Sequence, residues 1–292
     1  MDTLETADFS KFTVKHVDWI KTANIYEVNL RQYTKSGTIK EFEKHLPRLK
    51  EMDVDILWFM PVQPVGKKNR KGSMGSAYSV QDYIKVNPDF GTMEEFKSLV
   101  AKIHEMDMYV LIDWVANHTA WDHPWTQSHP EFYTKDSTGN FMPPKDTDWS
   151  DVIDLNYDNN EMRKEMIEAL KFWITEADID GYRCDVAGMV PTDFWDEARK
   201  ELDSIKPVFM LAEWESTDMH FKAFDMSYSW DFHHLMNDVA KGEKSVKDID
   251  DYFEKDELSY PANAIRMYFT SNHDENSWNG TVIERMGDAS KA

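Results

Sequence analysis

Four apolar runs in this chain each lead into a carboxylate: Tyr109-Val110-Leu111-Ile112-Asp113, Gly181-Tyr182-Arg183-Cys184-Asp185, the run 208–211 before Glu213, and Phe269-Thr270-Ser271-Asn272-His273-Asp274. A short apolar run bounded by polar residues reads as a buried strand, so each acid stands where a strand leaves the core. The last of the four belongs to a strand-like run at 264–270, three further runs lie at 23–29, 54–60 and 224–228, and helical periodicity falls between them at 39–52, 92–106, 161–176, 191–205, 231–241 and 246–253. Such alternation argues for an α/β fold with a parallel sheet. Seven strand signals suggest a (β/α)₈ TIM-type barrel, incomplete by one strand, in which active residues gather at the C-terminal strand ends. The segment 280–292 reads as the start of a helix, with no eighth strand after it.

The rhythm breaks once, across 119–158, a stretch rich in Asp, Pro, Trp and Ser after the third strand. A loop that long is more often functional than slack. The expected organisation is therefore 1–118 as the first part of a catalytic barrel, 119–158 as an inserted subdomain, and 159–292 as the remainder. A chain of 292 residues can bury one large core. Its net charge of −21 argues against nucleic acid or an anionic membrane as partner. No signal peptide is visible at Met1-Asp2-Thr3-Leu4-Glu5 and no apolar run reaches membrane-span length, which leaves the compartment open. The lone Cys184 excludes an intrachain disulfide and reads as packing.

Retaining cleavage of a glycosidic bond needs one carboxylate to attack the anomeric carbon and one carboxylic acid to protonate the departing oxygen. Asp185 and Glu213 lie one strand-helix-strand unit apart, which places them on neighbouring parallel strands. Arg183 shares a face with Asp185 because side chains alternate with period two, and its cation should keep that aspartate ionised. A buried ion pair would look the same.

Together, Asp113-Trp114-Val115-Ala116-Asn117-His118, Gly181 to Asp185, Glu213 after its run and Asn272-His273-Asp274 resemble the α-amylase family, glycoside hydrolase family 13. The resemblance runs from Asn24 to Gly280. It implies Asp185 as nucleophile, Glu213 as general acid/base and Asp274 as the third catalytic carboxylate, gripping sugar hydroxyls and favouring ring distortion. It further implies a substrate-binding set of Tyr78 as a platform under the sugar ring, His118, His273 and Arg183, with Asp113 supporting the site from the third strand. The implied activity is retaining hydrolysis of α-1,4 bonds in starch or maltooligosaccharides. An α-glucan transferase or a trehalose synthase-type isomerase on the same site, and a catalytically silent carbohydrate-binding or scaffold barrel, are the competing readings.

Asn117 matches the family's calcium-binding asparagine, and Asp146, Asp148, Asp151 and Asp154 offer oxygens for a structural calcium, with Asp154 the favoured donor. Against it, Val186-Ala187-Gly188-Met189 replaces the Lys-His pair many α-amylases carry, and no spaced Asp-x-Asp-x-Asp loop occurs. No cofactor is expected for the chemistry itself. Asn156, in Val152-Ile153-Asp154-Leu155-Asn156, leans toward short α-glucans, and Trp121, Trp125 and Trp149 are candidate platforms for the rest of the chain or pins for the loop. An open barrel would expose two strand edges, a candidate surface for self-association.

Overall fold

A computed structural model describes residues 12–291, which form two compact units divided between Glu213 and Trp214, with residues 12–15 belonging to the second. Met1 to Glu5, where no leader was read, lie outside the described residues. The larger unit holds strands β1 (Ile25–Val28), β2 (Ile56–Phe59), β3 (Tyr109–Trp114), β4 (His118–Ala120), β5 (Val152–Asp154), β6 (Gly181–Cys184) and β7 (Phe209–Ala212). Five of them pair in parallel in the order β1-β2-β3-β6-β7, while β4 and β5 form an antiparallel hairpin inside the insertion.

Strands β2, β6 and β7 are buried along their whole length. That is why β2 and β7 read as continuous apolar runs rather than alternating ones, while β6 buries Arg183 within its run. Register then fixes the chemistry-bearing ends: Asp113 lies opposite Arg183 and Cys184 opposite Ala212. One step further, Asp185 N donates to Trp114 O at 2.9 Å and Glu213 N to Cys184 O at 3.0 Å. Asp185 and Glu213 therefore leave the same end of adjacent strands.

The covering helices follow their sequence signals. Met93–His104 starts in a capping box between Thr92 and Glu95 and buries Phe96, Leu99, Val100 and Ile103, one stripe at helical spacing. Asn160–Ala177 is capped by Asn159 and stopped by left-handed Asp178, and Thr192–Asp203 follows β6. The single helix expected over 39–52 is instead two, Ile39–Glu43 and Leu46–Glu51. Pro47 explains the break: without an N–H it cannot continue a helix but fits a first turn.

The second unit contains β8 (Met226–Tyr228) and β9 (Ile265–Met267), paired in parallel, with helices Trp230–Lys241, Val246–Ser259, His273–Trp278 and Val282–Met286. Strand β9 stops short of the expected Thr270 because side chains claim the next carbonyls: Phe269 O lies 3.0 Å from His233 Nδ1, and Thr270 O accepts from Arg285. Among the described residues no helix is long and apolar enough to cross a membrane.

Gly181 opens β6 with φ +153°, and a Cβ placed there would sit 1.8 Å from Phe209 O, on the backbone of β7. No side chain fits without prising apart the two strands that carry Asp185 and Glu213. Gly181→Ala is expected to cost roughly 3 kcal/mol or more, measured as a lowered urea midpoint. A wild-type midpoint would contradict this packing.

Candidate active site

At the C-terminal end of the larger unit's sheet, one guanidinium meets three carboxylates. Arg183 Nη1 donates to Asp113 Oδ1 at 2.9 Å and to Asp185 Oδ1 at 2.8 Å, and its Nη2 lies 2.7 Å from Glu213 Oε1. The cation also faces two aromatic rings, Trp58 at 4.9 Å and Tyr78 at 5.9 Å from their centroids. Such a site suits arginine, whose planar fork holds several partners and stacks on rings at once.

The carboxylates differ in how they are used. Asp113 is fully buried, and its second oxygen accepts from Trp58 Nε1 at 3.1 Å and from the Tyr78 hydroxyl at 3.0 Å. It braces the site from within. Asp185 and Glu213 keep 11% and 13% of their side-chain surface exposed, so both reach solvent. Glu213 Oε2 in addition accepts the backbone N–H of Val186 at 2.7 Å. The Tyr78 phenol is pushed well above its ordinary range, first by burial and then by the Asp113 charge, which keeps its proton in place as a donor.

His118 begins β4, nearly fully buried, with Asn117 Nδ2 at 3.1 Å from its Nδ1 and the Trp149 ring edge-on at 5.4 Å. Burial lowers it to about 4, partly offset by a hydrogen bond with the Tyr78 backbone, so it is neutral near pH 7. Asp274 and His273 belong to the second unit. They sit in the first turn of helix His273–Trp278, which Asn272 caps, rather than on a strand, with His273 Nε2 at 3.3 Å from Asp274 Oδ2. Cys184 is buried and its thiol is pushed well above the usual range by that burial, in keeping with packing.

Among the described residues no three His, Cys, Asp or Glu side chains gather around a cation position. Burial raises the Asp154 carboxyl, partly offset by a hydrogen bond with Thr134. Of the insertion tryptophans, Trp125 is packed against Tyr83, His123 and Phe132, which makes it a pin, and Trp121 donates to Ser150 O at 3.0 Å. Trp149 lies nearest the site, against His118.

Two contributors escaped the sequence reading. Trp58 had a signal, an indole within the aliphatic run of β2, where a buried N–H requires an acceptor. Val186 had none, since a β-branched residue argues against the left-handed backbone it adopts, φ 38° and ψ 48°.

His118 and His123 are both buried and lowered to about 4, in each case by desolvation. Because these bases bind protons more weakly folded than unfolded, their stabilising contribution is full above about pH 6.5 and is lost as pH falls toward 4. At pH 5.3 the His123→Gln variant should take up about one proton fewer on unfolding than wild type, measured by pH change in weak buffer. Equal uptake would contradict a neutral buried His123.

The profile of the α-amylase catalytic domain matches residues 29–151 and 146–290. Alpha-amylase 3 of Dictyoglomus thermophilum is 32% identical over 230 residues, 68% of this chain but 44% of that protein. Among solved structures, an α-amylase from Lactobacillus plantarum superposes with TM-score 0.82 at 36% identity, covering 86% of this chain and 63% of that one. A noncanonic maltogenic α-amylase from Thermotoga neapolitana superposes with TM-score 0.81 at 39% identity, covering 87% and 60%. The chain thus spans about half the length of the curated relatives it matches. Its fold class is the (β/α)₈ barrel of those structures, to which the larger unit contributes five parallel strands and the second unit two. The chain belongs to the α-amylase family, as its catalytic domain.

Proposed function

We propose that this chain acts on glycosidic bonds with retention, through a covalent glycosyl-Asp185 intermediate, and that its substrates are α-1,4-glucans such as starch or maltooligosaccharides. The observation that carries the reading is the sharing of one fully buried guanidinium by two partly exposed carboxylates, Asp185 and Glu213. Carboxyl groups held that close favour the short separation of retaining enzymes over the wider gap that leaves room for water in inverting ones.

In the first step an Asp185 oxygen bonds to the anomeric carbon while the bond to the leaving sugar breaks, and that sugar's oxygen takes the proton of Glu213. In the second, the Glu213 carboxylate removes a proton from water, whose oxygen attacks the same carbon and frees Asp185. Arg183 favours the ionised nucleophile. Tyr78 supplies the ring under the sugar and neutral His118 takes one of its hydroxyls, while the roles of His273 and Asp274, in the second unit, rest on the family resemblance alone. Asp113 acts through Arg183 and Tyr78. The glucan class is supported by the α-amylase names of the similar proteins.

Asp185→Asn and Glu213→Gln are each expected to lower kcat by about 10³-fold or more, with maltooligosaccharide affinity changed only a few-fold. Undiminished turnover in either would overturn the assignment. Product analysis on maltoheptaose separates the outcomes for the second step: shorter sugars mean that water resolves the intermediate, longer ones or trehalose that a sugar hydroxyl does.

A further inference from the structure

Six non-glycine residues with positive φ occur among the described residues: Asp53, Asn69, Asp107, Asp146, Asp178 and Val186. Five are Asp or Asn, whose short polar side chains tolerate the left-handed region. Val186 alone is β-branched, for which that conformation is strained. It also stands next to Asp185, where the chain turns from β6 into the short 3₁₀ turn Ala187–Met189, closed by Met189 N to Val186 O at 2.8 Å.

The turn has one evident product. It points the Val186 N–H at Glu213 Oε2, 2.7 Å away, on the carboxylate whose other oxygen faces Arg183 Nη2. We infer that Val186 is a positioning residue, whose backbone amide fixes the orientation of Glu213 and sets its proton affinity. This rests on Glu213 being the acid/base. Within the larger unit that carboxylate shares Arg183 with Asp185, next to β6, and with Asp113 of β3, and the neutral Tyr78 phenol stands beside Asp113. Arg183 and the amide favour the ionised form and Asp185 opposes it. The amide is therefore a counterweight that keeps the proton of Glu213 weakly enough held to be given up to a leaving group.

The direct test replaces Val186 by its α-hydroxy analogue, 2-hydroxyisovaleric acid, in the full chain. This deletes the N–H and keeps the side chain and the turn. A hydrogen bond to a charged group is worth about 1.5 kcal/mol or more, equivalent to about one pH unit. The basic limb of the kcat/KM profile should therefore move up by about one unit, because a Glu213 that holds its proton more tightly stays a competent acid to higher pH. A limb that does not move overturns the inference. Val186→Gly retains the N–H and relieves the strain, so its basic limb should stay in place while its melting temperature rises. A limb displaced in the glycine variant would assign the effect to the side chain and likewise overturn the proposal, even if the ester variant fails to fold. Turnover surviving in Glu213→Gln would instead remove the acid/base reading on which all of this stands.

Discussion

A fully buried guanidinium is the constraint around which the larger unit is arranged. Taking Arg183 out of water is unfavourable by several kcal/mol unless its charge and donors are met. Three carboxylates from β3, β6 and the end of β7 meet them, and two aromatic rings cover its faces. The dependence is mutual. Three carboxylates at one sheet end would repel without the cation between them, so the fold gathers the acids a site needs only because an arginine lies two residues before one of them.

Holding that cluster together demands close backbone approach. The β6–β7 pair is tight enough at Gly181 that no Cβ is tolerated, and that pairing delivers Asp185 and Glu213 to neighbouring positions. Directly beyond, the chain takes a left-handed step at Val186 that costs conformational energy and returns an amide donor to Glu213. Strain next to the reacting groups and dense packing beneath them belong together, because only a rigid sheet can over-determine an unfavourable backbone.

Much of this was legible in the sequence. Period-two alternation put Arg183 and Asp185 on one face, and their contact is there at 2.8 Å. The spacing of one strand-helix-strand unit put Asp185 and Glu213 on adjacent strands, and β6 pairs with β7. Thr92 and Glu95 announced the start of a helix that does begin there. What was not legible depended on tertiary context. Pro47 broke a helix whose apolar periodicity ran through it. The strand expected through Thr270 ended early because His233 and Arg285, both distant in sequence, bond its last carbonyls. The three-residue strands β4 and β5 were too short to leave a pattern. Val186 adopts a conformation its side chain disfavours, which no local propensity would suggest.

Division of labour among the carboxylates is the chemical consequence. Burial and three hydrogen bonds commit Asp113 to structure, while partial exposure leaves Asp185 and Glu213 able to reach a ligand. The most direct test of that division is covalent trapping with 5-fluoro-α-glucosyl fluoride, whose good leaving group and slowed second step let a glycosyl ester accumulate, followed by mass mapping of the peptides. A single fluoroglucosyl adduct on Asp185 is the predicted result. An adduct on Asp113, Glu213 or any other side chain, or turnover of the reagent with no adduct on Asp185, would contradict the account.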